Sequence, residues 1–256
     1  MKSAQEKTAI ITGASSGIGE ATAHALAKIG YDLILTARRA EKLEKVKSEI
    51  EAANEVNISY HVFDISDRKQ VENFVRNKIN GHDIDVLVNN AGLASGLSPL
   101  HKGDVEDWER MIDTNVKGLL YITREIAPKM AERNSGHIIN IGSIAGVEVY
   151  PNGNVYCATK HAVKALSEGL RMELFDKNIK VTNIAPGMVE TEFSLVRFYG
   201  DKQKADDVYG GVEPLTATDI AECITFAVTR PDHVNIADML VLATAQGSAT
   251  MVNRKN

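Results

Sequence analysis

Short runs in which apolar residues follow one another almost without interruption recur along the chain, at residues 8–12, 32–36, 58–63, 86–89, 137–141, 180–185 and 239–242. Several lack the strict apolar–polar alternation of a strand with one wet face. They are predicted to be strands covered on both sides, as in a parallel sheet. Between them, at 17–29, 40–53, 67–79, 105–132, 158–176 and 219–229, the pattern is that of amphipathic helices. Strand and helix alternate with short connections, which predicts an α/β fold: a single-domain, doubly wound parallel sheet with helices on both faces. Two stretches break the alternation. Residues 94–103 read as a loop, and residues 190–213 as an insertion long enough to form a substrate lid.

No repeat, low-complexity tract or Pro/Gly/Ser-rich linker divides the 256 residues, so one domain spanning 1–256 is expected, with 190–213 as its substrate-loop insertion. The composition, 44% apolar and 25% charged, is that of an ordinary soluble globule. A formal net charge of −5 argues against a nucleic-acid partner. The start, Met1-Lys2-Ser3-Ala4-Gln5-Glu6-Lys7, is polar, and no apolar run approaches the roughly 18 residues that span a bilayer, so neither a secretory signal nor a membrane partner is expected. The two cysteines, Cys157 and Cys223, stand far apart without metal-ligand spacing, which points to a reducing, cytoplasmic location and no metal site. The sequon Asn57-Ile58-Ser59 then carries little weight.

Candidate chemistry begins where the first strand ends, in Thr12-Gly13-Ala14-Ser15-Ser16-Gly17-Ile18-Gly19, followed at once by a helical stretch. Glycines let a backbone turn tightly and approach phosphates, and the helix behind them offers free N–H groups and the positive end of its dipole. The spacing is T-G-x-x-x-G-x-G rather than the G-x-G-x-x-G of most dinucleotide (Rossmann-type) folds, and a tight strand–helix connection would also account for it. The second strand ends in Thr36-Ala37-Arg38-Arg39. An acidic residue near this point selects NAD; here Arg38 and Arg39 suit the 2′-phosphate of NADP, the alternative being a solvated basic start to the next helix. Asp64, in Phe63-Asp64-Ile65, could accept from an adenine amino group or cap the helix that follows. In Asn89-Asn90-Ala91-Gly92, amides could hold strand backbone while a flat ring lies close to the small residues.

Tyr156 and Lys160 stand one helical turn apart. A free phenol, with a pKa of about 10, is a poor base at neutral pH, and a neighbouring ammonium favours the phenolate. Such pairs also arise as mere surface contacts. Ser143, just past the fifth strand, could hydrogen-bond a substrate oxygen or cap a turn. Asn115 falls within a predicted helix although Asn forms helices poorly; it could distort the helix and link Lys160 to solvent, or be an ordinary surface amide.

With these segments in order, the sequence resembles the short-chain dehydrogenase/reductase family over essentially its whole length. The likeness rests on Thr12–Gly19, Asn89–Gly92, Asn115, Ser143, Tyr156-x-x-x-Lys160 and Pro186-Gly187-Met188-Val189-Glu190-Thr191. It implies that Tyr156 is the acid/base, that Ser143 orients the substrate, that Lys160 binds the nicotinamide ribose and lowers the Tyr156 pKa, and that Asn115 sustains a proton relay. It also implies that Pro186, Gly187, Val189 and Thr191 hold the nicotinamide carboxamide, and that the chain works as a homotetramer. The cofactor set expected from these readings is Gly13, Ser15, Ser16, Gly17, Ile18, Gly19, Arg38, Arg39, Asp64, Ile65, Asn89, Ala91 and Gly92, with Tyr156 and Lys160 shared with the chemistry.

Within the family the sequence is most similar to the bacterial NADP-dependent 3-hydroxy acid (serine and L-allo-threonine) dehydrogenases. The similar segments include Val105-Glu106-Asp107-Trp108-Glu109, Gly153-Asn154-Val155-Tyr156, Thr191-Glu192-Phe193-Ser194 and Val196-Arg197-Phe198. That group carries a glycine pair before Thr-Glu-Phe, where this chain has Glu190. The expected activity is NADP-dependent oxidation of a short 3-hydroxy acid, of the serine, L-allo-threonine or 3-hydroxypropionate kind. The alternatives are a 3-oxoacyl-carrier-protein or general carbonyl reductase, and a non-catalytic NADP(H)-sensing protein. A small acid offers little apolar surface, so its carboxylate needs a partner. Arg197, flanked by Val196 and Phe198 in the insertion, is the expected anchor; pairing with a nearby acid or packing at an interface is the other use for it.

Overall fold

Residues of a single strand divide between two hydrophobic layers. Ile11 joins one cluster and Ile10 the other; Val88 and Leu87, and Ile139 and Ile138, split the same way. Successive side chains of a strand point to opposite faces, so a strand covered on both sides has to be apolar throughout. The computed structural model describes residues 7–79 and 81–255; the polar start 1–6 and residues 80 and 256 lie outside the described residues. In it β1 (Thr8–Thr12), β2 (Asp32–Ala37), β3 (Ile58–Val62), β4 (Val86–Asn89), β5 (Gly136–Ile141), β6 (Ile179–Pro186) and β7 (Asp238–Val241) form one parallel sheet in the order β3-β2-β1-β4-β5-β6-β7. The order reverses direction between β1 and β4, the position where doubly wound sheets open a crevice at the carboxyl ends of their strands.

Helices α1 (Gly17–Lys28), α2 (Ala40–Glu51) and α9 (Ala217–Val228) supply Leu26, Leu43, Ile50, Ile220 and Ile224 to the first layer. Helices α3 (Arg68–Lys78) and α5 (Leu119–Arg133) supply Val71, Phe74, Ile122, Ile126 and Met130 to the second. The remaining helices are α4 (Val105–Ile112), α6 (Asn154–Leu174) and, inside the insertion, α7 (Glu192–Arg197) and α8 (Lys202–Asp207). Among the described residues no helix is long and apolar enough to cross a membrane.

Three differences from the sequence expectation have physical causes. The expected helix 105–132 is interrupted by a π-helical segment, Asp113–Gly118. There the Asn115 side chain accepts from Leu93 N at 2.8 Å and donates to Leu93 O at 2.8 Å, and the helix widens around it. Helix α6 starts at Asn154, earlier than expected, so Tyr156 sits inside its first turn. Finally, Asp64 does not cap α3. Asp67 does, accepting from Lys69 N and Gln70 N, while Asp64 accepts from Ser66 N at 2.9 Å and Ser66 Oγ at 2.7 Å.

A polar row crosses the sheet. Asn89, Asn140, Asn183 and Asp238 stand at the same register on β4, β5, β6 and β7. Asn89 Nδ2 donates to Asn140 Oδ1 at 2.8 Å and to Thr123 Oγ1 at 2.9 Å. Asn140 Nδ2 donates to Ser167 Oγ at 2.8 Å, and Asn183 Nδ2 to Asp238 Oδ1 at 2.9 Å. All three amides are buried.

Candidate active site

The carboxyl ends of the strands surround a cavity of about 650 Å³. One wall is the turn after β1. Gly13 and Gly17 have φ of +66° and +57°, in the left-handed region that favours glycine. A Cβ on Gly13 would also lie 2.9 Å from the Ala91 Cα. Two strand ends are tied here: Thr12 Oγ1 accepts from the backbone N of Asn90 at 3.1 Å and of Ala91 at 3.0 Å, and Asn90 Nδ2 donates to Thr12 O at 2.9 Å and Gly13 O at 3.1 Å. Ser16 begins α1 without capping it through its side chain, so the donors of the first turn stay available to a ligand. The backbone cradle and these donors fit a pyrophosphate.

Of the residues expected from the sequence, Gly13, Ser15, Ser16, Gly17, Ile18, Arg38, Arg39, Asp64, Ile65, Ala91 and Gly92 line this cavity. Gly19 and Asn89 do not. Gly19 packs against the turn, where a Cβ would meet Gly13 O at 2.4 Å. Asn89 turns away into the helix layer, and its neighbour Asn90 faces the cavity. Strand parity carried that signal, since Asn89 shares a face with Leu87 of the second layer.

Two cations stand at the end of the cavity beside Asp64. Arg38 is largely exposed, 3.7 Å from Asp64. Arg39 donates from Nη2 to Ser16 Oγ at 2.8 Å and Ser15 Oγ at 3.1 Å, and from Nη1 to Glu192 Oε2 at 2.9 Å. Lys42 holds the other Glu192 oxygen. The Lys42 bond, helped by Arg39, pulls the Glu192 carboxyl down to about 2. Nothing in the local sequence signalled this pairing.

At the other end Tyr156 and Lys160 are both buried. Lys160 Nζ donates to Ile141 O at 2.8 Å and lies 5.9 Å from the centre of the Tyr156 ring. Burial brings the ammonium down to about 8. Burial also raises the Tyr156 phenol well above its usual range, and the nearby Tyr150 adds to this; the Ser143 hydroxyl and the Arg197 guanidinium pull it back. Ser143 lines the cavity, and its Oγ accepts from Ala145 N at 3.1 Å to cap the turn Ile144–Gly146, the second of the two roles read from the sequence.

Asn115 is not a surface amide. It is buried outside the cavity lining, and its Nδ2 also donates to Thr159 Oγ1 at 3.1 Å, bracing the residue next to Lys160. Pro186, Gly187, Val189 and Thr191 line the far wall. Gln246, which the sequence did not single out, steadies that wall by accepting from Met188 N at 2.9 Å. Glu190 N donates to Leu215 O at 2.9 Å beside a bridge between Val189 and Leu215, so this segment leaves the sheet extended.

Arg197, at the end of α7, lines the cavity with its guanidinium carbon 5.7 Å from the ring centres of both Tyr150 and Tyr156. Nη2 donates to the Tyr150 hydroxyl at 3.1 Å, and among the described residues no acid forms an ion pair with it. Tyr150 had no signal in the sequence. Phe193, from the same helix, packs on Tyr156 with ring centres 5.6 Å apart.

A family model described as short chain dehydrogenase matches residues 7–198. An NADP-dependent 3-hydroxy acid dehydrogenase of Schizosaccharomyces pombe is 48% identical over 251 residues, 97% of each chain. A serine 3-dehydrogenase of Rhizobium radiobacter is 42% identical over 245 residues, covering 94% of this chain and 96% of its own. Among solved structures, the closed form of a serine dehydrogenase complexed with NADP+ superposes with a TM-score of 0.90 at 43% identity, covering 97% of this chain and 100% of the other.

Proposed function

The chain belongs to the short-chain dehydrogenase family, and we propose that it is an NADP-dependent oxidoreductase interconverting a short 3-hydroxy acid and its 3-oxo form. The observation that carries this reading is Arg197: a guanidinium with no acid paired to it among the described residues, over the ring of Tyr156, inside the cavity. A planar cation in that position suits the carboxylate of a small substrate whose hydroxyl lies near Tyr156. The names of the similar proteins agree with that substrate class.

In this reading the glycine turn after β1 and the first turn of α1 hold the pyrophosphate, Arg38 and Arg39 hold the 2′-phosphate with Ser15 and Ser16, and Lys160 binds the nicotinamide ribose. When bound, the nicotinamide supplies the acceptor or donor of hydride. Ser143 hydrogen-bonds the substrate oxygen, and Tyr156 takes the hydroxyl proton in oxidation and returns it in reduction. With a 3-hydroxy amino acid, the 2-amino-3-oxo product is prone to lose carbon dioxide. The lid residue Phe193 packs over Tyr156 and keeps water from the reacting oxygen. Asn115 braces α6 beneath Lys160 and so sustains the path by which protons leave it.

We also infer a homotetramer in the cytoplasm. Supporting it are the exposed apolar side chains of Met172 and Phe175 at the end of α6 and Leu120 on α5, and the unpaired Cys157 and Cys223.

The decisive experiment is steady-state kinetics of Arg197→Ala with 3-hydroxy acids and with an uncharged ketone. The KM for the acids should rise at least ~10-fold while reduction of the ketone stays nearly as it was, the signature of one lost charge-assisted contact. If both substrates suffer alike, or neither does, Arg197 is not the carboxylate anchor, and a parent that reduces uncharged ketones better than it oxidises 3-hydroxy acids is a general carbonyl reductase. Absence of turnover with every hydroxy acid and ketone, in a protein that binds NADPH, would point to a sensor.

A further inference from the structure

Arg197 is a single side chain on a short helix in an insertion, and a carboxylate anchor has to be held to a fraction of an ångström to be useful. Its placement comes from a ring of contacts that closes outside the substrate cavity. Gly96 N donates to Arg197 O at 3.0 Å, and Arg197 Nε donates to Gly96 O at 3.4 Å, so the lid is clipped to the loop after β4 by its own backbone and side chain. Two residues on, the Tyr199 hydroxyl donates to Asp107 Oδ2. The second Asp107 oxygen accepts from Ser95 Oγ at 2.6 Å, and Arg110 Nη1 donates to the same Ser95 oxygen at 3.1 Å. The carboxylate is nearly enclosed although the Tyr199 ring itself lies 65% exposed.

Two features show that this corner is built around the bond. Gly96 has φ of +68°, and a Cβ there would lie 2.6 Å from Asp107 Oδ2 and 3.2 Å from the Tyr199 hydroxyl. Only glycine lets the loop, the acid and the phenol meet. Tyr199 itself has φ of +55°, a left-handed conformation unfavourable for a residue with a Cβ unless its surroundings hold it. Backbone bonds closing α7 hold that conformation, Tyr199 N donating to Val196 O at 3.2 Å and Gly200 N to Leu195 O at 2.8 Å, and the bond from its hydroxyl to a nearly buried carboxylate fixes where the side chain docks.

We propose that Asp107, acting through Tyr199 and Gly96, is the positioning residue for carboxylate recognition: it docks the lid so that Arg197 faces Tyr156. The proposal rests on Arg197 being the substrate anchor. Asp107 touches neither substrate nor cofactor, and its work is to choose substrates bearing an acid group. Removing the bond therefore loosens the grip on the carboxylate and leaves the proton and hydride steps alone.

The test is a mutant cycle of Tyr199→Phe, Arg197→Ala and their double variant, with Asp107→Asn as a second way to break the bond. Tyr199→Phe removes one hydroxyl from a largely exposed residue and should fold as the parent does. In it the KM for serine and for 3-hydroxypropionate should rise about 3- to 10-fold, the size of one ordinary hydrogen bond, because the bond acts on the substrate only through Arg197. The kcat, the KM for NADP+ and the kinetics with an uncharged ketone should stay within about 2-fold of the parent. In the Arg197→Ala background the Tyr199 change should add nothing. An unchanged KM in Tyr199→Phe overturns the proposal, and so does a full additive effect in the double variant. A loss in kcat for acid and ketone alike would mark the contact as merely structural and overturn it too. The Arg197→Ala arm alone reports on the anchor: if it does not discriminate acid from ketone, the underlying reading falls, whatever Tyr199→Phe does.

Discussion

Glu192 and Arg39 meet at 2.9 Å although they lie 153 positions apart and three strands stand between β2 and β6, the strands that precede them in the chain. Glu192 is the first residue of the lid helix α7, and Arg39 is the guanidinium bonded to the two serines of the glycine turn. An incoming 2′-phosphate has to share Arg39 with a carboxylate already in place. Glu192→Gln should therefore tighten NADPH binding about 3- to 10-fold at low ionic strength and change NADH binding far less. The pair is about 40% exposed, so the gain should shrink in 0.5 M salt, roughly the range where screening reaches only a few ångströms. Fluorescence titration at two salt concentrations checks it. A weaker NADPH complex would mean that Glu192 orders Arg39 for the phosphate instead of competing with it.

Cofactor choice can be read separately. Arg38→Ala with Arg39→Ala should weaken NADPH binding between several-fold and ~100-fold, with NADH nearly unaffected. Equal losses for the two dinucleotides, measured by the same titration, would make the arginines structural.

Tyr156→Phe keeps the ring that packs on Phe193 and removes only the hydroxyl. It should bind NADPH normally and lose at least ~100-fold in kcat, since general acid/base help is worth that much. Near-parental turnover would dismiss Tyr156 as the acid/base.

Lys160 gives a pH-dependent stability term whose sign is set by its lowered pKa, about 8 against 10.5 for the unfolded chain. Below pH 8 both states carry the charge, and the fold bears the full cost of burying it. Between pH 8 and 10.5 the unfolded chain holds more protons, so stability rises with pH. Cofactor-free Lys160→Met should accordingly be more stable than the parent at pH 7, with the gap closing as pH climbs through that window. Denaturant unfolding at a series of pH values reads this directly; a constant gap would contradict it.

His137 acts in the acid range. It is buried with Nε2 2.7 Å from Thr182 Oγ1, and burial brings its pKa to about 3 from 6.5. The neutral ring is kept in the fold, so its contribution is whole above pH 6.5 and is lost as pH falls toward 3. Relative to His137→Asn, the parent should lose up to about 1.4 kcal/mol per pH unit across that window. Parallel stability curves for the two proteins would refute the assignment.

The sheet was legible because its strands are apolar on both faces, and the glycine turn, the paired arginines and Tyr156 with Lys160 were legible because each is a local pattern. What stayed hidden is pairing between distant segments. Nothing near Glu192 announces Arg39, and nothing near Tyr199 announces Asp107, 92 residues earlier. The break in the 105–132 helix was hinted at only by an asparagine in a helical stretch; its cause, the two bonds to Leu93, is tertiary. Asn89 and Asn90 look alike in the sequence, and only strand parity separates the one that faces the cavity from the one that faces α5.

The row of amides across β4, β5 and β6 bears on how the strands find their alignment. A slip of one residue in β5 would turn Asn140 to the opposite face, abandon Asn89 and bury an apolar side chain among polar groups. The row thus serves as an index mark that rejects misaligned pairings during folding. Ile141, whose carbonyl receives Lys160, follows Asn140 directly, and Ser143 comes two residues later. The accuracy with which those groups stand beside Tyr156 is therefore inherited from three buried side chains that never meet a substrate.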